Sequence, residues 1–263
     1  PFPLRPTLAA DRTRLPRRWR CARSGWPGVM RWLPVLLALL VVACATRLGR
    51  DGRSESTVDL KYLAKTEVDR IADTDRAEVV GSLMLIADKL YKRNPKEWKK
   101  AGLSSREAAL ERLRQRRQRS LPELGGLREG QAAALAFSDS YTGDRVAALM
   151  FGLLTMVDAA FEYKEEFYIL DGLNEMKLFN CARNMDVAVW KLGHDRDPAG
   201  ELYLLSNAID GNGRNLSFER EFGRAMGLLD LMAQVVADRN GRGFSRLSQA
   251  VVTTIFLPVG LVK

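Results

Sequence analysis

One histidine, His194, stands in 263 residues, which leaves no second imidazole to share a metal ion or to serve as a paired acid and base. Cysteine is nearly as scarce. Cys21 lies in an arginine-rich front segment, Cys44 closes an apolar run, and Cys181 lies deep in the chain. Once Cys44 carries lipid, Cys181 has no partner in the segment that follows, so an internal disulfide is excluded there. A buried, inert thiol on an apolar helical stripe is expected instead. Apolar runs are short. Trp32 to Val42 holds eleven residues and Ala250 to Val262 thirteen, against the roughly 20 that a helix needs to span a bilayer. There is no G-x-S-x-G elbow and no G-x-x-x-x-G-K-[ST] phosphate loop, so two common signatures of hydrolases and nucleotide-binding proteins are missing.

Positive charge is abundant but badly placed for nucleic acid. Of the formal +9, seven arginines against the single acid Asp11 contribute +6 within residues 1–29, and Arg31 adds one more. Residues 44–263 keep only +2, without the basic footprint on the folded part that nucleic-acid binding needs. The 46% apolar and 28% charged residues fit a globular domain with a real core.

The front of the chain reads as an export signal. Met30-Arg31 gives a short positive start, Trp32 to Val42 an apolar region, and Ala43 a small residue before Cys44. Eleven residues of helix reach only about 16 Å, too little for a stable span. Val41-Val42-Ala43-Cys44 resembles the lipobox of bacterial lipoproteins. That resemblance implies cleavage before Cys44, a diacylglycerol thioether on its sulfur and an acylated amine. Anchoring by two or more chains is stable where one is marginal. Ala45-Thr46 lacks the aspartate that the same resemblance links to inner-membrane retention, so the outer membrane is expected. Residues 1–29 are expected to be upstream sequence ahead of a start near Met30, residues 30–43 the signal, 44–56 a lipidated tether, and 57–263 a globular domain.

Within that domain the periodicity is helical. Leu60, Leu63, Ala64 and Ile71 predict a helix after a Ser56/Thr57 cap, and Val79, Val80, Leu83, Met84, Ala87, Leu90 and Tyr91 predict a second that stops at Asn94-Pro95. Ser104 with Glu107 reads as a capping box, residues 119–130 as a loop, and the chain beyond Thr142 as a long apolar helix. Asn174 is expected to cap a helix through Leu192, Ser217 to start another, and Ser245 to cap a last one. The Ala250–Val262 run suits a buried or interfacial helix. Strand signals are few: Glu166 to Leu170, with Glu201 to Leu205 as a partner or a helical turn. The expected fold is mainly α, a single helical domain of about six to eight helices with at most a small two-stranded ribbon.

Lys92 to Trp98 (KRNPKEW) and Asn215 to Gly223 (NLSFEREFG), with Asp139 to Arg145 and Ala182-Arg183-Asn184, resemble blocks of uncharacterised proteobacterial lipoproteins. The resemblance would cover most of residues 57–258 and implies no catalytic residue.

Candidate chemistry is thin. Asp195 and Asp197 flank His194 in a turn before Pro198, where aspartates commonly bond to backbone amides. Asp210 to Glu221 echoes a calcium loop but places the cation Arg214 at the fifth position and Asn215 where glycine belongs. Ser138-Asp139-Ser140 and Glu162, Glu165 and Glu166 offer hydroxyls and carboxylates at no spacing that specifies a reaction. No catalytic residue, metal ligand or cofactor is assigned. Arg112, Arg114, Arg116, Arg117 and Arg119 form a basic run that fits either a solvated helix face or contact with another envelope protein or an anionic lipid surface. Two functions follow as expectations: a lipid-anchored envelope protein acting through binding, or an envelope hydrolase acting on peptidoglycan or lipid.

Overall fold

Short polar residues at the helix boundaries set the frame of the computed structural model, which describes residues 47–48, 54–55, 65–168, 171–210, 213–241 and 256–262. The chain divides into a unit ending at Leu60 and a second running from Lys61 to Lys263. In the first, the described residues form two short antiparallel strands, β1 (Arg47–Leu48) and β2 (Ser54–Glu55). The second unit is mainly helical.

Helix α1 (Glu67–Arg93) begins at Thr66, whose hydroxyl accepts from the Asp69 amide at 3.2 Å while the Asp69 carboxylate accepts from the Thr66 amide at 2.8 Å. Glu67 and Asp69 meet the positive end of the helix dipole, and Lys92 and Arg93 meet the negative end. The sequence reading divided this stretch into two helices, yet it forms one of 27 residues. Between Glu67 and Val80 no glycine or proline interrupts the ladder, so nothing breaks it. The expected Ser56/Thr57 cap, Leu60, Leu63 and Ala64 lie outside the described residues.

Past Pro95 come α2 (Glu97–Lys100) and α3 (Arg106–Arg114). The cap of α3 is Ser105, not Ser104: its hydroxyl accepts from the Ala108 amide at 3.1 Å, and Glu107 pairs with Arg106 instead of closing a box. The expected loop at 119–130 contains a turn of 3-10 helix, Pro122–Leu124, and the start of α4 (Glu129–Leu135).

Asp144 caps α5 (Arg145–Ala160), in which every residue from Val146 onward is buried. A helix apolar on nearly all sides belongs inside. Helices α1, α2, α3, α4 and α6 (Glu175–His194) pack around it, and α7 (Ser217–Arg239) closes against α1 and α6. Gly152 lets α4 approach closely, since a Cβ there would sit 2.5 Å from the Ala133 amide nitrogen and 2.6 Å from the Glu129 carbonyl oxygen. Asn174 caps α6 as expected, and Leu178, Cys181, Ala182, Met185, Ala188 and Leu192 form its buried stripe. Burial pushes the Cys181 thiol up, away from the reactive thiolate.

The ribbon is elsewhere than expected. It joins β3 (Ala208–Asp210) to β4 (Gly213–Asn215), pairing Ile209 with Arg214. Glu166 to Tyr168 form no strand, and Leu202 bridges to Arg196.

Residues 256–262 are not helical. They are strapped across the domain by side chains: Asn184 accepts from the Leu257 amide at 2.6 Å and donates to its carbonyl at 2.8 Å, and Asn180 donates to the Pro258 carbonyl at 2.8 Å. Val259 enters the core while Leu261 is 87% exposed. Ser245, Leu247, Val251 and Ile255 lie outside the described residues. Among the described residues no helix is long and apolar enough to cross a membrane.

Candidate functional site

Asp158 lies in the last turn of α5 with no solvent exposure. A buried carboxylate is costly unless paired, and the negative end of the helix dipole adds to that cost. Three guanidiniums compensate. Arg116 grips it with both forks, Nε to Oδ2 at 2.8 Å and Nη2 to Oδ1 at 3.0 Å. Arg76 Nη2 and Arg117 Nε each lie 3.3 Å from Oδ1. Burial first, and then the neighbouring Arg117, hold the Arg76 guanidinium below its ordinary pKa. Arg117 also pairs with Glu165 at 2.6 Å through Nη1, whereas its Nη2 is buried with no hydrogen-bond partner.

Beside this cluster α5 ends without glycine. Glu162 (φ 51°) and Tyr163 (φ 57°) take the left-handed conformation, and the Tyr163 amide closes on the Asp158 carbonyl at 2.6 Å. A third positive-φ residue that is not glycine, Glu129 (φ 50°), opens α4. Each is held by a side-chain bond: Tyr163 donates to Glu129 Oε1 at 3.3 Å, the Glu129 amide donates to the Thr155 hydroxyl at 2.8 Å, and Lys177 holds Glu162 at 2.8 Å. Such conformations cost on the order of 1–3 kcal/mol each and persist where the surroundings impose them.

Between the strained turn and the arginine cluster opens a cleft of about 360 Å³ lined by Arg117, Gln118, Arg128, Tyr163 and Glu165. The Arg128 guanidinium rests 5.4 Å from the centre of the Phe151 ring and has no carboxylate partner among the described residues. The cluster and cleft therefore set four guanidiniums (Arg76, Arg116, Arg117, Arg128) against the carboxylates of Asp158, Glu165 and Glu129.

No protein-family model matches this chain, and no curated protein or solved structure proves similar to it.

The structure sorts the basic run by burial. Arg112 pairs with Glu123 and Arg114 with Glu111, Arg116 and Arg117 turn inward to Asp158, and Arg119 is exposed. The acids noted in the sequence also meet cations: Glu162 meets Lys177, Glu165 meets Arg117, and Glu166 lies 3.7 Å from Lys65. His194 stacks on Trp190 with ring centres 4.7 Å apart and places Nδ1 2.8 Å from the Trp190 carbonyl. Asp197 accepts from the Ala199 and Glu201 amides, the turn role expected of it, and Asp195 pairs with Lys191. Asp139 accepts from Tyr203, and the Ser138 and Ser140 hydroxyls bond each other at 2.9 Å. Among the described residues no group of three or more His, Cys, Asp or Glu could hold a metal ion.

Asp158, Arg76, Arg128 and Tyr163 escaped the sequence reading. Asp158 had left a signal, being the lone acid in the apolar stretch Val146 to Ala160, where a charge implies a buried partner. Nothing in the local sequence marks Arg76 as that partner, 82 residues away.

Proposed function

We propose that this chain is a lipid-anchored lipoprotein of the cell envelope, held to the outer membrane through Cys44, whose helical domain faces the periplasm and works by binding. The observation that carries the reading is the apolar run Trp32–Val42 closing on Ala43-Cys44, followed by a polar tether and then by a helical unit. The cleft beside Asp158 supports the binding role, because it gathers hydrogen-bond donors around a small volume while the acids near it are already engaged. The arginine run, if it meets an anionic surface, does so through Arg119 and the outer faces of Arg112 and Arg114. The test is intact-mass analysis of the protein purified from membranes. An N-terminal peptide starting at Cys44 and carrying acyl mass is expected, and Cys44→Ser should move the protein out of the membrane fraction. An unmodified thiol at that position ends the proposal.

A further inference from the structure

We infer that the cleft between Arg117 and Arg128 is a receptor for a phosphoryl oxyanion, carried by a small phosphate monoester or by a phospholipid headgroup. The inference deepens the binding role proposed above and rests on it.

Three observations converge. First, donors outnumber their partners. Arg117 keeps a buried Nη2 with no acceptor, and Arg128 faces the cleft with only the Phe151 ring beneath it. A guanidinium is planar and presents paired N–H groups that match oxyanions two at a time. Second, charge is in surplus. Four guanidiniums stand against three carboxylates, and one of the three, Glu165, is 67% exposed and held only by its pair with Arg117. Its oxygen sits where a ligand oxygen would, so the side chain acts as a stand-in that a more highly charged anion displaces by letting it swing to solvent. Displacement raises the surplus to two, matched to a dianionic phosphate near neutral pH. Third, two of the lining side chains are held in place. Arg117 is clamped by Asp158, and Tyr163 is fixed by its left-handed turn and its bond to Glu129. Donors held in place before the ligand arrives lose less freedom on binding. A cleft of about 360 Å³ exceeds what a bare phosphate fills and leaves room for an organic body.

The experiment is calorimetric titration of the full chain in neutral detergent at low salt, with chloride as the ionic-strength control. The probes are inorganic phosphate, soluble dihexanoyl phosphatidic acid, and dihexanoyl phosphatidylcholine as the zwitterionic control. Saturable binding of phosphate marks a free phosphate ester as the source, whereas binding of phosphatidic acid alone marks a headgroup; either supports the site. R128E should weaken binding at least tenfold and E165Q should tighten it severalfold, both with unchanged circular dichroism. R119E, exposed and outside the cleft, should leave it unchanged. Absence of saturable heat with both anionic probes overturns the inference, as does an equal loss in R119E and R128E. Cys44→Ser should titrate like the parent chain, so a failed anchor and a failed anion site give separate results.

Discussion

Helix α5 carries a buried carboxylate at each end, and the two are accommodated by opposite means. Asp144 sits at the N-terminus, where unsatisfied amides point outward. It accepts from the Ala147 amide at 2.8 Å and from the Tyr91 hydroxyl at 2.9 Å, and among the described residues no arginine forms an ion pair with it, Arg112 acting only as a more distant positive charge. Asp158 sits at the C-terminus, where the partial charge is negative, and takes three guanidiniums. The helix supplies hydrogen bonds at one end and withholds them at the other. The end that must bring in cations brings in more than it neutralises, and the surplus opens onto the surface. A third case completes the series. Asp75, on α1, is buried with Oδ2 unpartnered, and burial alone pushes its carboxyl up to about 7. Asp144, better served, is pushed by burial only to about 6, with the Ala147 amide and Tyr91 pulling the other way.

The largest expected effect tests the cation-bound end. Asp158→Ala takes the shared carboxylate from three guanidiniums, of which Arg116 is buried and Arg76 mostly so, and should cost about 3–5 kcal/mol in urea unfolding. A loss below about 1 kcal/mol would show that the arginines reach water without it. Next comes the unpartnered acid. A carboxyl raised in the folded state binds its proton more tightly there than in the unfolded chain. Its favourable contribution is complete below the ordinary value of 3.8 and fades as pH rises through about 7. Asp75→Asn should therefore gain about 1–3 kcal/mol on wild type at pH 8 relative to pH 4, read from paired denaturation curves. Asp144→Ala should cost about 2 kcal/mol by removing a cap and leaving the Tyr91 hydroxyl unpaired, whereas Asp144→Asn, whose Oδ1 still accepts from the Ala147 amide while its NH2 donates to the Tyr91 oxygen, should cost less than about 1 kcal/mol. Asp144→Asn should also flatten the fall in stability between about pH 4 and 6. The smallest effect belongs to Glu165→Gln, an exposed pair whose loss should change stability by no more than about 1 kcal/mol while altering anion affinity.

Much of the helical frame was legible in the residues. The apolar stripe of α6 and its Asn174 cap follow from spacing and a short polar side chain, both local properties. The long α1 reads as two helices in the sequence because its middle, Ile71 to Arg76, carries four polar or charged residues beside two apolar ones. In the fold, Ala72 and Asp75 still face the core while Ile71 remains exposed. The one-residue error at Ser104 arose because adjacent serines offer equal chemistry, and only backbone geometry selects Ser105. The ribbon was misplaced because β-branched and aromatic content pointed to 166–170, whereas the strands that pair are Ala208–Asp210 and Gly213–Asn215, too short for a period-two pattern to announce.

Left to itself, the sequence determined the helical class, the buried character of α5 and most helix starts, for each depends on neighbours within a few turns of chain. Only the tertiary structure decided that Arg76, Arg116, Arg117 and Asp158 meet, and that Arg128 and Tyr163 border the same cleft. Those encounters join segments up to 82 residues apart, and no local period encodes them. Their cause is a buried charge, whose energy is set by whatever the fold brings within about 4 Å of it.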